Sequence, residues 1–285
     1  MTHASPADAR TGTRALERKQ SALYGILAEV PALIVAYSGG VDSAYLAYAA
    51  TSVLGDQALC VTADSPSYPE RHRQMAVRLA REFGFQHEII RTDEMSRPEY
   101  RANPANRCYF CKQELYTHLT SIARERGVPV VADGSNADDR GDYRPGRQAA
   151  REFGVLSPLD AADLTKDDIR ELARRAGLPT WDEPASACLS SRIPYFSEVT
   201  DAKLRMIEAA EAALRDMGFR ICRVRHHDTI ARLELGRDEI ARALEPEMAD
   251  AIDRELRALG YAHVTVDLRG YRLGSLNEAL KLRPV

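Results

Sequence analysis

The sequence predicts an α/β fold, a doubly wound parallel sheet, followed by a smaller C-terminal α+β domain. Three observations predict it. Short apolar runs rich in β-branched residues alternate with helical patterns over residues 1–178, as strands covered on both faces require. The first of these strands, Leu33 to Tyr37, runs through Ser38-Gly39-Gly40-Val41-Asp42-Ser43 into the helical Ala44 to Ala50. Beyond residue 199 the order becomes helix, strand, strand, helix, strand, which reads as a small α+β unit over 200–285. Residues 179–199 form a connector between the two.

The elements follow in order. Residues 1 to about 12 read as frayed, and Leu16, Leu23, Ile26 and Leu27 space a helix over Thr13 to Val30 that Pro31 ends. Ala58 to Ala63 is a second strand, with Asp64, Ser65 and Pro66 past its end. Pro69 to Phe83 is a helix stopped by Gly84, and Gln86 to Arg91 a third strand. Residues 92–107 carry two prolines and no period, so they read as a loop over the site. Cys108 opens a helix to Arg126. Val128 to Asp133 is a fourth strand ending in Gly134-Ser135-Asn136, and Arg140 to Gly146 is a polar loop. Val155 to Leu159 is a fifth strand, and Thr165 opens a helix to about Ala176 with Asp167 and Asp168 in its first turn.

Pro179 to Ser197 has no helical period, and loops of that length are functional sites or linkers. Then come helix Thr200 to Met217 and strands Arg220 to Arg225 and Thr229 to Leu235, turned by His226-His227-Asp228. Helix Arg237 to Leu259, strand His263 to Leu268 and a final turn into a short helix, Gly270 to Glu278, complete the chain.

Composition narrows the function. With 45% hydrophobic and 28% charged residues, the 285-residue chain is a soluble globular protein with a sizeable core. A net charge of −3 gives no electrostatic case for a nucleic-acid partner. No stretch approaches the roughly 18 apolar residues of a membrane helix. The polar N-terminus lacks an apolar signal core, so the expectation is a cytoplasmic protein. The five cysteines are then thiols or ligands rather than disulfides.

The glycine turn is a phosphate cradle. Glycine lets an anion approach without a Cβ in the way, and the following helix offers unpaired N–H groups and the positive end of its dipole. Ser38 and Ser43 add hydroxyls. A Walker A loop would need a Gly-Lys-Ser/Thr ending, and no lysine is present. The stretch instead resembles the PP-loop, SGGxDS, of the ATP pyrophosphatase superfamily. That resemblance implies an ATP site at Ser38, Gly39, Gly40, Val41, Asp42 and Ser43, with Asp42 helping to hold Mg²⁺. Ser65 and Gly134 also fall at strand carboxyl ends, where such sheets bind ligands. Asp138 is a weaker Mg²⁺ candidate.

Cys108 and Cys111 lie three apart on one helix face and can bind one metal, while Cys188 sits in the connector. A redox C-x-x-C is disfavoured because the pair follows the third strand rather than the first. A zinc site would need a fourth ligand, and an iron–sulfur cluster on three thiolates leaves one iron open. Three unrelated thiols are the remaining alternative.

The motifs Ser38 to Ser43, Asn106-Arg107-Cys108-Tyr109-Phe110-Cys111-Lys112, Gly134 to Asp139, Ala187-Cys188-Leu189-Ser190-Ser191-Arg192 and Gly270 to Glu278 together resemble the LarE family. These sulfur transferases make the nickel-pincer cofactor of lactate racemase. The resemblance runs from about residue 15 to the C-terminus. It implies that a carboxylate of pyridinium-3,5-biscarboxylic acid mononucleotide is adenylated by ATP, and that sulfur then displaces AMP to give a thiocarboxylate. Members with three cysteines are similar to cluster enzymes, so Cys108, Cys111 and Cys188 are expected to hold a [4Fe–4S] centre carrying the sulfide. The alternatives are sacrifice of Cys188's own sulfur, or a PP-loop tRNA thiolation enzyme. Ser191, Arg192, Arg223 and Arg225 are the expected substrate contacts, since arginine suits phosphate and carboxylate. A sulfide donor and a homo-oligomer are implied by the same resemblance.

Overall fold

A computed structural model describes residues 6–141, 145–184, 187–272 and 274–278. In chain order the elements are α1 (Pro6–Ala28), β1 (Leu33–Ala36), α2 (Val41–Leu54), β2 (Ala58–Asp64), α3 (Glu70–Glu82) and β3 (Gln86–Arg91). Next are α4 (Pro98–Arg101), α5 (Arg107–Arg126), β4 (Val130–Ala132), α6 (Pro145–Glu152), α7 (Pro158–Ala161) and α8 (Lys166–Arg175). Last come α9 (Asp201–Asp216), β5 (Cys222–His227), β6 (Ile230–Leu235), α10 (Ile240–Ala243), α11 (Pro246–Ala258) and β7 (His263–Val266). The chain divides into two compact units. Unit 1 holds 1–64, 70–92 and 108–183; unit 2 holds 65–69, 93–107 and 184–285.

In unit 1 four parallel strands stand in the order β3-β2-β1-β4. Successive residues of β1 face opposite ways. Leu33, Val35 and Tyr37 join a core with α1, α2, α3 and α8, whereas Ile34 and Ala36 join a second core with α5 and α6. Helices on both faces of a parallel sheet make this the doubly wound fold that the strand–helix alternation predicts. Among the core residues of α2, Ala44, Tyr45, Leu46, Ala47, Ala49 and Ala50 are fully buried. That burial anchors the helix whose N-terminus follows the Ser38–Gly40 turn.

In unit 2 the sheet order is β5-β6-β7, with β5 and β6 antiparallel and β6 and β7 parallel. Helices α9 and α11 close its core through Ala210, Leu214, Ile252 and Leu256, against Val224 and Leu233 of the sheet.

Several local expectations are revised. The N-terminal helix starts at Pro6 rather than after residue 12. The expected fifth strand is a single bridge, Ala132 to Leu156, because Pro158 starts α7 two residues on. The loop 92–107 contains α4, with Pro98 at its first turn. The polar stretch 140–146 leads into α6, which begins at Pro145. The helix expected over 237–259 is broken in two, since Pro246 opens α11. His226 and His227 lie in β5, and the hairpin turns at Asp228, whose φ is +52°. Residues 142–144 of the polar loop, 185–186 of the connector and Leu273 of the C-terminal motif lie outside the described residues.

Candidate functional site

The cradle in unit 1 is built as its residue types require. Gly39 takes φ +66°, the left-handed region that costs a side chain strain, and a Cβ there would stand 3.1 Å from the Cβ of Ala76. Gly40 caps α2 with extended backbone. The Ser43 hydroxyl donates to the Gly40 carbonyl at 3.1 Å and accepts from the Ser38 N–H at 3.1 Å, so the turn closes on itself. With that hydroxyl's proton committed, the Ser38 hydroxyl donates to Ser43 Oγ, also at 3.1 Å. Val41 is buried behind the turn.

Gly134, past β4, packs directly on the cradle. A Cβ there would lie 3.0 Å from the backbone nitrogen of Ser43 and 3.3 Å from Asp42. Two residues on, Asn136 Nδ2 donates to Asp42 Oδ1 at 3.3 Å. The second carboxylate oxygen of Asp42 is paired with the Lys166 ammonium at 2.5 Å. Asp138, the weaker magnesium candidate, accepts the backbone N–H of Lys166 at 2.8 Å. Lys166 escaped the sequence reading because it lies 124 residues from Asp42 and no local pattern marks it.

Beside the cradle, Asp133 is a buried carboxylate that accepts from Tyr116 (2.9 Å), Ser157 (2.8 Å) and both the N–H and hydroxyl of Ser135. It fixes the strand end from which Gly134 projects. The side chain of Lys112 lies over the Tyr116 ring, 5.4 Å from its centroid. Its ammonium is held charged, its pKa raised by Tyr116 and then by Asp133 against the cost of burial.

Unit 2 carries the cysteine loop. Ser65 donates to buried Glu94 at 2.6 Å, as Ser67 does at 2.7 Å, so the hydroxyl expected at the nucleotide is engaged with a carboxylate. The Ser67 carbonyl accepts from Leu189 N at 2.8 Å. The Ser190 carbonyl accepts from Arg107 Nη1 at 2.9 Å, and the Ser190 hydroxyl pairs with Tyr100 at 2.7 Å. Thus the residues after Cys188 are pinned at several points by the segments 65–69 and 93–107.

The arginines converge. Arg192 is fully buried and forks onto Glu211, with Nε at 2.8 Å and Nη2 at 3.0 Å from its two oxygens. Its Nη1 donates to the carbonyls of Ala187 and Cys188 and to Ser191 Oγ. Ser191 Oγ in turn donates to the Cys188 carbonyl at 2.7 Å. Arg225 donates to the Ser191 carbonyl, to Glu234 and to Ser275, while among the described residues its Nε has no hydrogen-bond partner. Arg223 stacks on Tyr271, 5.2 Å from the ring centroid. Burial lowers the Arg223 pKa, and the neighbouring Arg192 charge lowers it further. Burial alone would raise the Glu211 carboxyl, but the Arg192 guanidinium overrides it and holds that carboxyl at about 2. Glu211 is a second residue that sequence reasoning missed; on α9 it reads as one more surface acid.

The five thiols separate by environment. Cys60 and Cys222 are buried core residues, and burial pushes their pKa values up to about 12 and about 11. Cys108 is exposed and Cys111 and Cys188 are partly exposed. Cys108 and Cys111 lie three residues apart at the start of α5, a spacing that fits two thiolate ligands on one ion. Among the described residues, no group of three or more His, Cys, Asp or Glu is gathered to hold a metal ion. No helix among them is long and apolar enough to cross a membrane.

No protein-family model matches the chain. Individual relatives do. An uncharacterized protein of Synechocystis sp. is 42% identical over 93% of this chain and 99% of its own. The pyridinium-3,5-bisthiocarboxylic acid mononucleotide synthase of Lactiplantibacillus plantarum is 37% identical over 93% of this chain and 96% of its own. A glutamine-hydrolyzing GMP synthase of Staphylococcus saprophyticus is 26% identical over 65% of this chain and 39% of its own, a likeness confined to part of each protein.

Proposed function

Because the chain belongs to the LarE family of pyridinium-3,5-bisthiocarboxylic acid mononucleotide synthases, we propose that it is an ATP-dependent sulfur transferase acting on the carboxylates of pyridinium-3,5-biscarboxylic acid mononucleotide. The carboxylate oxygen attacks the α phosphorus of ATP, and pyrophosphate leaves with the β and γ phosphates. The resulting acyl adenylate has AMP as a good leaving group. Attack by sulfide at the acyl carbon then breaks the bond to AMP and forms the thiocarboxylate. The same sequence on the second carboxylate completes the product.

The observation that carries this reading is the near full-length identity to the named synthase, supported by a Gly-Gly turn at the N-terminus of α2. The cradle presents the N-terminus of α2 to phosphate, and Asp42 is the carboxylate for Mg²⁺ bound with the pyrophosphate. In unit 2, Arg192 and Arg225 both donate to Ser191, and Arg223 and Arg225 are the guanidinium groups offered to the substrate phosphate. Arg192 is committed to Glu211 and to the backbone of the Cys188 loop, so its part is to position that loop.

Cys108, Cys111 and Cys188 would hold the [4Fe–4S] centre. What supports this is exposure: the three are the thiols outside the buried cores. When bound, the centre supplies sulfide to the activated acid without consuming a cysteine. The sulfide is replaced by an external donor, and the protein acts in the cytoplasm as a homo-oligomer.

Anaerobic purification with iron and sulfide analysis, followed by mass spectrometry of the pyridinium product over several turnovers, tests the reading. Multiple thiocarboxylates per chain are expected. Loss of the mass of hydrogen sulfide from the intact protein after one turnover, with no iron required, would assign the sulfur to Cys188 itself. Salt-sensitive RNA binding would instead favour tRNA thiolation.

A further inference from the structure

We propose that the outer edge of β7 is a two-fold interface with a second copy of this chain, the two β7 strands pairing antiparallel about Thr265. The proposal rests on the homo-oligomer reading and names the surface that joins the copies. Parallel pairing with β6 uses one side of β7. The N–H groups of His263 and Asp267 donate to the carbonyls of Thr229 and Leu233 on that side. Backbone polar groups alternate sides along a strand, so Val264 and Val266 turn theirs to the outer edge. Among the described residues, no hydrogen bond takes these groups up.

The described chain after β7 runs inward over the sheet. The Tyr271 N–H donates to Leu235 of β6, and Ser275 meets Arg225 of β5. Edge strands are commonly guarded by lysine, proline or a bulge, and His263–Val266 contains neither lysine nor proline. Leu268, just past the strand, is 82% exposed.

This edge is complementary to itself. Pairing centred on Thr265 sets Val264 opposite the partner's Val266, and these are the residues with outward backbone groups, so about four N–H···O bonds form across the axis. Both valines pack on the core of unit 2, so the apolar face of the sheet continues into the second copy. On the other face His263 falls opposite the partner's Asp267 and can donate a ring N–H to it. Leu268 falls opposite the partner's Ala262, and Ala262 is exposed. The outer strand of unit 1, β3, has no such register. Centred on Glu88 it sets two carboxylates together, and centred on Ile89 it sets Glu88 against the partner's Ile90.

Thr265 lies on the axis and faces its own copy, which gives the test. Size exclusion with light scattering reads the mass of the full chain as wild type, Thr265→Lys, Thr265→Glu and an equimolar mixture of the two variants. Each variant alone should show about half the wild-type mass, because like charges meet on the axis. Thr265 is exposed, so circular dichroism should match wild type. The mixture should regain the wild-type mass, since ammonium and carboxylate then meet. Val266→Pro, which removes an outward N–H and no bond to β6, should also halve the mass. A charged variant that keeps the wild-type mass, or a mixture that stays at half, would overturn the proposal. A monomeric wild type would remove the homo-oligomer reading itself. If deleting 279–285 then made the chain associate, the edge would belong to its own last residues and not to a second copy.

Discussion

Replacing Glu211 with Gln tests what holds the Cys188 loop. The carboxylate is 2% exposed and meets Arg192 with both oxygens, while Oε1 also accepts the Val224 N–H at 3.2 Å. Glutamine keeps the shape but turns one acceptor into an NH₂ group facing a guanidinium donor, and it leaves the Arg192 charge buried without a counter-ion. Two estimates of the cost agree. A carboxyl held at about 2 instead of its ordinary 4.5 carries about 3 kcal/mol, at about 1.4 kcal/mol per pH unit. Breaking a buried ion pair by removing one partner typically costs about 3–5 kcal/mol.

At about 2–4 °C per kcal/mol, Glu211→Gln should lower Tm by about 6–12 °C at pH 7. The sign with pH follows from the depressed pKa. The stabilisation is fully present above the ordinary carboxyl pKa of 4.5 and is lost as pH falls through about 2. The difference in urea stability between wild type and Glu211→Gln should therefore shrink on acidification through that window. The double variant Glu211→Gln with Arg192→Met should recover part of the loss, since it removes the stranded charge. A shift below about 1 kcal/mol at pH 7, or a difference that does not change with acid, would refute the argument.

Other expectations follow from the same geometry. Gly39→Ala places a Cβ at a φ of +66° against Ala76, and should cost about 1–2 kcal/mol and reduce ATP binding, read by urea melts and calorimetry. Gly134→Ala drives a methyl group to 3.0 Å from the Ser43 nitrogen and should weaken ATP binding about tenfold while leaving the fold intact by circular dichroism. Brief iodoacetamide treatment at pH 8 should modify Cys108, Cys111 and Cys188 in preference to Cys60 and Cys222. At pKa values of about 12 and about 11, roughly one in ten thousand and one in a thousand of the two core thiols is ionised at that pH. Peptide mass mapping showing equal labelling of Cys60 would contradict its placement. Cys188→Ser should abolish thiocarboxylate formation yet retain substrate-dependent pyrophosphate release, which separates adenylation from sulfur transfer.

What the chain's own order determined is local. The buried strand Leu33–Ala36, the glycine pair after it and the apolar helix behind it specify the cradle within about twenty residues, because turn sterics and helix ends act over short range. The parallel sheet follows from strand–helix alternation, and the three-cysteine pattern is visible as spacing and loop position. Weak, short elements were decided elsewhere. Leu156 makes one bridge instead of a strand because Pro158 commits the chain to a helix.

Only the tertiary structure decided which charges meet. Asp42 and Lys166 lie 124 residues apart, and Arg225 and Ser275 lie 50 apart. Arg192, which reads in sequence as a ligand for an anion, is hydrogen-bonded to Glu211 and to its own loop, partners that its sequence neighbours do not announce. Segments 65–69 and 93–107 leave the first unit to join the second and pin the residues after Cys188. A charged side chain carries no record of its partner in its neighbours along the chain. Ion pairing depends on distance and on burial from water, and both are set when remote elements pack.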